Sequence, residues 1–124
     1  MIIAALILVF QAISFLVQKY FEVNINSGFI FGLFGNNLLS IFFSVIILFS
    51  IIILENKQII STNSFILITA GSISNIVDRL IYGGSVDYIS ILQYPSFNLA
   101  DILIMTGCLI FARDMIKSSI YKKT

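Results

Sequence analysis

The stretch "LLSIFFSVIILFSIIIL", residues 38–54, contains no charged residue, and serine is its only polar residue type. A helix that crosses the roughly 30 Å hydrocarbon core of a bilayer needs about 20 apolar residues, with about 17 as a practical minimum. The stretch therefore predicts a membrane-spanning helix. The polar residues that follow it, "ENKQ" at 55–58, predict a tight turn outside the lipid.

The composition of the whole chain indicates the same class. Hydrophobic residues make up 59% of the 124 residues and charged residues only 10%, whereas an ordinary globular domain is about 45–50% apolar and about a quarter charged. Three further stretches are long enough to span a membrane: residues 1–17, 59–77 and 99–115. We expect an all-α membrane protein in which one domain, residues 1–124, forms a four-helix transmembrane bundle with a small extracytoplasmic β or loop element.

Two of these stretches carry further information. The first has neither the basic start nor the small-residue cleavage site of a signal peptide, so we expect it to remain as a span. The third, 59–77, contains Gly71, Ser72 and Ser74, small residues that allow membrane helices to approach closely. We therefore expect the third span to lie inside the bundle.

Basic residues at the ends of the spans predict the orientation, because lysine and arginine are retained on the cytoplasmic side. Most of them fall on the side that carries both termini: Lys57, Arg113, Lys117, Lys122 and Lys123, against Lys19 and Arg79 on the other side. Four tyrosines fall in the connections of that other side, as residues at a membrane interface do: Tyr20, Tyr82, Tyr88 and Tyr94. Both termini are expected to face the cytoplasm.

Several classes of function are excluded by composition. A net charge of +1 without a basic cluster argues against nucleic acid as a partner. The absence of histidine excludes Ser-His hydrolases and HExxH zinc proteases. The single cysteine, Cys108, lies in an apolar run and provides neither a disulfide framework nor a thiolate metal site. We expect no metal and no cofactor, so any catalysis must use carboxylates, lysine or hydroxyl groups.

Three aspartates are predicted to gather at the outer ends of the spans: Asp78, Asp87 and Asp101. An aspartate at a helix centre costs about 2.5–3.5 kcal/mol on insertion scales, so acidic residues beside spans usually mark function. Each also has a simpler interpretation. Asp78 could form an interfacial ion pair with Arg79, Asp87 could lie on a surface loop or in a short strand, and Asp101 could form a capping box with Asn98 in "NLAD".

Asp87 and Asp101 become more informative as a pair. On one straight helix they would be about 21 Å apart, but Gly83-Gly84 and Pro95 provide positions at which the chain can double back. Two adjacent carboxylates in a poorly hydrated site share one proton, as in aspartic proteases. One can take a proton from an attacking water while the other hydrogen-bonds to the amide carbonyl, assistance worth about 10²–10⁴ in rate.

Three segments, "NSGFIFG" (26–32), "SNIVDRLIYGGSVDY" (74–88) and "FNLAD" (97–101), resemble in order and spacing the signature segments of lipoprotein signal peptidase, also called signal peptidase II. Members of that family are four-span aspartic proteases of the bacterial cytoplasmic membrane. They cut the signal peptides of prolipoproteins just before a diacylglyceryl-modified cysteine. The resemblance therefore implies a lipid-modified prolipoprotein as substrate, with membrane lipid as the other partner, and we expect a monomer.

The same resemblance assigns roles by position. Asp87 and Asp101 match the family's catalytic pair, near the outer membrane face. The positions that hold the substrate backbone in the family are matched by Asn26, Asn75, Arg79 and Asn98. Asp78 is expected to support Arg79.

Two alternatives remain open at this stage. A catalytically silent relative, acting as a membrane binding or scaffold protein, is favoured by Phe10 and Phe15, which stand where the family has charged residues. It is also favoured by the short connection at 18–25, where the family has a longer β platform. A small proton-coupled transporter would be expected to carry an acidic residue deep in a span, and spans 1–17 and 38–54 have none. Retention of the aspartates and asparagines favours the active peptidase.

Overall fold

The structure is a computed structural model that describes residues 1–28, 35–92 and 96–123. Its elements in chain order are the helix α1 (Ile2–Tyr20), the strand β1 (Asn24–Asn26), the helices α2 (Asn37–Asn56) and α3 (Thr62–Tyr82), the strand β2 (Ser85–Asp87) and the helix α4 (Leu99–Lys123). The predicted fold class, a helical membrane bundle with a small β element, is confirmed.

Within the described part of the chain, three helices are long and apolar enough to cross a membrane: α1, α2 and α3. The fourth helix, α4, is longer but carries charged residues near both ends. It packs antiparallel to α3, because Gly71 lies against the backbone of Ala100 while Gly107 lies against Ile68, one turn earlier on α3. That α4 also crosses the membrane stays a prediction, which this close packing supports.

Helix α3 is the centre of the bundle and packs against each of the other three helices. Small residues make this possible, since a side chain at Gly71 would place its Cβ only 2.5 Å from the carbonyl oxygen of Ala100. The buried residues of α3 are mostly small or polar: Ser64, Ile68, Thr69, Ala70, Gly71, Ser72, Ser74, Asp78 and Arg79. The prediction that the third span lies inside the bundle is confirmed.

The ends of the helices are set by local hydrogen bonds. The side chain of Asn36 accepts from the backbone of α2, and that of Ser61 accepts from Ser64 N at the start of α3. Helix α3 ends at Gly83, whose φ of 80° is left-handed and suits glycine. The predicted turn at 55–58 is confirmed in its second half, where α2 has ended and Gln58 adopts a φ of 57°.

Strands β1 and β2 pair antiparallel, with Asn24 opposite Asp87 and Asn26 opposite Ser85. Gly84 precedes β2 at a position where a Cβ would lie 2.6 Å from the carbonyl oxygen of Asn26, so only glycine fits. Beyond β2, the backbone groups of Ile89 and Phe97 exchange two hydrogen bonds of 2.8 Å. The chain therefore doubles back as predicted, although Tyr94 and Pro95 lie outside the described residues.

Candidate active site

Asp87, at the end of β2, is only 3% exposed and is surrounded by side-chain donors. Its Oδ2 accepts from Asn26 Nδ2 over 3.2 Å. Its Oδ1 accepts from Ser85 Oγ over 3.2 Å and from Asn98 Nδ2 over 3.4 Å. Among the described residues, every hydrogen bond to this carboxylate comes from a side chain. Within that part of the chain, the carboxylate of Asp87 therefore caps no backbone N–H group, unlike that of a residue at a helix start.

Asp101 is the third residue of α4 and has a different environment. Its backbone N–H donates to Asn98 Oδ1 over 2.9 Å, and its Oδ2 accepts from the backbone N–H of Asn98 over 3.0 Å. This reciprocal pair is a capping box, so that prediction is confirmed. The other carboxylate oxygen, Oδ1, accepts from Asn75 Nδ2 on α3 over 2.8 Å. Asp101 therefore starts a helix and also faces α3.

Asn98 connects the two carboxylates. Its side chain is 2% exposed; its oxygen binds the backbone of Asp101, and its amide donates to Asp87. The same amide nitrogen lies 2.9 Å from Asn75 Oδ1 and 3.2 Å from the carbonyl oxygen of Val86. Removing this one side chain would release the strand that carries Asp87 from the start of α4.

Burial and charge make Asp87 easy to protonate. Its pKa is raised from 3.8 to about 7, chiefly because the buried carboxylate loses hydration, and further because Asp101 adds a nearby negative charge. The hydrogen bonds from Asn26 and Ser85 and the positive charge of Arg79 act in the opposite direction. Asp87 can therefore carry a proton close to neutral pH.

Arg79, 7% exposed, holds the turn that follows β1. Its Nη2 donates to the carbonyl oxygen of Gly28 over 2.7 Å, and its Nη1 lies 3.3 Å from that of Asn26. The backbone carbonyl of Arg79 in turn accepts from Asn37 Nδ2 at the start of α2. Its Nε is buried without a hydrogen-bond partner among the described residues.

Asp78 is also buried, at 2% exposure, but it faces another way. Its carboxylate accepts from Gln11 Nε2 (3.1 Å) and Ser14 Oγ (3.2 Å) on α1, and from the backbone N–H of Val86 (3.3 Å). The described residues contain no ion pair between Asp78 and Arg79, so the interpretation of Asp78 as an ion-pair partner is wrong. The reason is geometric, since adjacent residues of a helix do not face each other. Asp78 instead ties α1 to β2, although its negative charge still favours the charged form of Arg79.

A cavity of about 620 Å³ adjoins the two carboxylates. Its polar wall includes Asn26, Asn75, Arg79, Ser85, Asp87 and Asp101, and its apolar wall includes Ile47 of α2 and Ile102, Ile104 and Met105 of α4. Three of the four predicted substrate-contacting residues therefore line it. Asn98 is not among the described lining residues; its side chain bonds to Asp87 and to the backbone N–H of Asp101.

Several polar residues were not predicted to lie at the site, among them Gln11, Ser14 and Ser85. A signal for the first two exists, because they are the polar residues of an otherwise apolar span and lie three positions apart, on one helix face. For Ser85 the signal is its position two residues before Asp87, which places both side chains on one face of a strand.

Known proteins resemble this chain in sequence and in fold. The profile of the family described as signal peptidase (SPase) II matches residues 2–117. The chain is similar to the lipoprotein signal peptidase of Wigglesworthia glossinidia brevipalpis, at 38% identity over 68% of this chain and 63% of the relative. It is also similar to that of Chlamydia pneumoniae, at 37% identity over 68% of this chain and 56% of the relative. The chain thus spans less than two thirds of the length of these relatives.

Solved structures share the fold. One bacterial membrane enzyme superposes with a TM-score of 0.81 at 20% identity, covering 95% of this chain and 87% of its own. A second gives a TM-score of 0.74 at 20% identity, covering 94% of this chain and 90% of its own. The membrane-spanning helices and the bacterial relatives indicate a bacterial membrane protein. On the profile match and these relatives, the chain belongs to the signal peptidase II family.

Proposed function

We propose that this protein is an intramembrane aspartic endopeptidase that removes the signal peptide of prolipoproteins before a diacylglyceryl-modified cysteine. One observation carries the proposal: a single buried amide, that of Asn98, is bonded to both Asp87 and the start of the helix that bears Asp101. Both carboxyl groups line the same cavity. This arrangement supports aspartic catalysis, which requires two acids at one site.

The two acids have different environments, which suggests that one is ionised and the other protonated in the resting site. Asp101 lies in the first turn of α4, where the positive end of the helix dipole favours a carboxylate. Asp87 lies on a strand, and its pKa of about 7 favours a proton at and below neutral pH. We therefore assign the ionised role to Asp101 and the protonated role to Asp87.

The reaction follows from these roles. Asp101 accepts a proton from a water molecule as the water oxygen attacks the scissile amide carbonyl. Asp87 donates a hydrogen bond to the carbonyl oxygen, which gains negative charge. When the tetrahedral intermediate breaks down, a proton passes from the pair to the leaving amine. The pair then returns to its starting state with one proton.

The cavity wall fits a substrate that is part peptide and part lipid. Asn26, Asn75 and Arg79 can bond to peptide groups near the cleaved bond. The apolar wall formed by Ile47 and Met105 continues the cavity along α2 and α4, where acyl chains or apolar signal-peptide residues could pack. With both termini in the cytoplasm, as the basic residues predict, the site would lie near the outer face of the membrane.

The test is cleavage of a diacylglyceryl-modified prolipoprotein by the purified chain in lipid. Asp87→Asn and Asp101→Asn should each lower the cleavage rate by at least about 10²-fold. Asp114→Asn is a matched control, since this aspartate pairs with Arg113 far along α4 and does not line the cavity.

Cleavage at the wild-type rate by either site variant would contradict the assignment of the pair. Wild-type protein that binds the lipidated substrate without cutting it would favour the silent relative instead. Equal cleavage of a substrate lacking the diacylglyceryl group would contradict the proposed substrate class and leave the acid pair standing.

A further inference from the structure

Ser85 is a buried serine, 4% exposed, whose hydroxyl donates to Asp87 Oδ1 over 3.2 Å. The two side chains lie on the same face of β2 and both line the cavity. We propose that Ser85 is a positioning residue, which fixes the Asp87 carboxyl group in both of its protonation states and favours the ionised one. The inference rests on the proposed function and assigns Ser85 a role in the same reaction.

The chemistry of the three donors around Asp87 distinguishes Ser85 from the others. Asn26 and Asn98 each approach Asp87 with an amide NH₂ group, which donates hydrogen bonds and cannot accept one from a protonated carboxyl. A serine hydroxyl both donates and accepts, and it rotates freely about its C–O bond. Ser85 can therefore stay bonded to Asp87 whether or not the carboxyl carries the proton.

The position of Ser85 is itself well determined. It pairs with Asn26 across the two-stranded sheet, and Gly84 before it is pressed against the same residue. The next residue, Val86, is completely buried and anchored at both backbone groups, by Asp78 and by Asn98. Because the backbone of β2 is fixed, the Ser85 hydroxyl is held beside Asp87, as a positioning role requires.

The charged groups around Asp87 determine how firmly its carboxyl group holds a proton, and the Ser85 hydroxyl acts together with them. Helix α4 contributes the negative charge of Asp101, and α3 contributes the positive charge of Arg79. The neighbouring Tyr88, whose hydroxyl accepts from the backbone N–H of Leu99, is a further titratable group close to Asp87. Strand β1 contributes the uncharged Asn26. Burial and Asp101 favour the protonated form of Asp87, whereas Arg79 and the hydrogen bonds favour the ionised form. Without the Ser85 hydroxyl, Asp87 should keep its proton to higher pH.

The experiment is the pH dependence of prolipoprotein cleavage by the wild type, Ser85→Ala, Ser85→Val and Ser85→Thr. The alanine and valine variants should cleave several-fold more slowly, and their loss of activity at alkaline pH should occur about half to one pH unit higher than in the wild type. Threonine keeps the hydroxyl and should restore the wild-type profile, although it has the shape of valine. Ser50→Ala, on the outside of α2, is the control and should change nothing.

An alkaline limb at the same pH in all variants would overturn the inference, as would an equal loss of activity in Ser85→Thr and Ser85→Val. If alanine prevents folding, the threonine and valine pair still decides, because the two side chains have nearly the same shape. A second readout needs no cleavage: the pH at which the thermal unfolding midpoint falls should be higher in Ser85→Val than in Ser85→Thr. If the wild type cleaves nothing, the proposed function fails, but this titration still tests Ser85.

Discussion

Helices α2 and α3 have nearly the same length, 20 and 21 residues, but they occupy opposite environments. In the 18-residue stretch of each helix that is apolar enough to cross a membrane, half of the residues of α3 are buried inside the protein, against 6% of those of α2. The polar groups of α3 reach other elements, such as Asn75 to Asp101 on α4. Along the middle of α2 the serines behave differently, since Ser44 and Ser50 donate to carbonyl groups of their own helix. Near the start of α2, Ser40 also donates to the carbonyl oxygen of Ser27.

The difference shows how a membrane changes the rule for burial. In water, the more apolar of two helices would form the core. In lipid, apolar side chains lose nothing by facing outward, while polar groups must find partners within the protein. The more polar helix therefore takes the centre, and the site is built on it. Substitutions should have large effects around α3 and small effects on α2.

The largest effect is expected at Asn98, which joins the strand of Asp87 to the start of α4. Asn98→Ala removes the shared amide and the helix cap, so cleavage should fall by at least about 10²-fold and the free energy of unfolding by about 1–3 kcal/mol. Asn98→Ser should recover most of the stability, because serine also caps helices, but not the cleavage. An alanine variant that cleaves at the wild-type rate would contradict the role of Asn98.

A smaller effect is expected where α3 touches α4. In Gly71→Ala the new Cβ would lie 2.5 Å from the carbonyl oxygen of Ala100, so the helices must separate, at a cost of about 1–3 kcal/mol in unfolding free energy. Cleavage should also fall, because Asp101 follows Ala100. Gly35→Ala is the matched control, since among the described residues no atom beyond its own chain neighbours lies within 4 Å of its Cβ position. Equal thermal midpoints for the two variants would show that the contact is not tight.

The pH dependence of stability gives a third measurement. Folding raises the pKa of Asp87 from 3.8 to about 7, so between these values the folded state binds more protons than the unfolded state. The stabilisation is therefore fully present below about pH 4 and is lost as the pH rises through about 7. The thermal midpoint of the wild type should fall over this range, and Asp87→Asn should remove that part of the fall. An unchanged slope in Asp87→Asn would show that another group is responsible.

The smallest effect is expected on the outer face of α2. Phe49 is 64% exposed and does not line the cavity. Phe49→Leu keeps an apolar side chain in lipid and should change the free energy of unfolding by no more than about 0.5 kcal/mol. Cleavage in lipid should be unaffected. A large loss of activity there would show that α2 takes part in the reaction and would weaken the contrast with α3.

Much of this architecture could be predicted from local patterns. Span 38–54 matches α2 closely because its limits are set by an apolar run that ends in polar residues. For α3 the predicted span, 59–77, stops at the first charged residue, whereas the helix continues to Tyr82. Counting apolar residues cannot follow a helix whose last turns hold buried charges, because only the folded protein supplies partners for Asp78 and Arg79.

The convergence of Asp87 and Asp101 on one cavity could be predicted from motif spacing and from the reversal at Gly83-Gly84, and the capping box from "NLAD". That the two form a catalytic pair stays a prediction. The partners of Asp78 could not be predicted, since they lie on α1, more than sixty residues away in the chain. Local sequence gives the faces of each helix but not the rotation that brings two faces together. The register of β1 against β2, which selects Ser85 and Asn26 as neighbours, is a three-dimensional result of the same kind.

Asp101 both caps the start of α4 and accepts a hydrogen bond from Asn75. These two roles affect how active and inactive relatives can be told apart by sequence. A residue that initiates a helix is retained for folding alone, so a chain that had lost its chemistry could still keep this aspartate. Among the described residues, the carboxylate of Asp87 bonds only to side chains. On the proposed function, its retention therefore depends more on reactivity than that of Asp101. In a set of relatives, the residue at the end of the short strand should be the better diagnostic of a working enzyme.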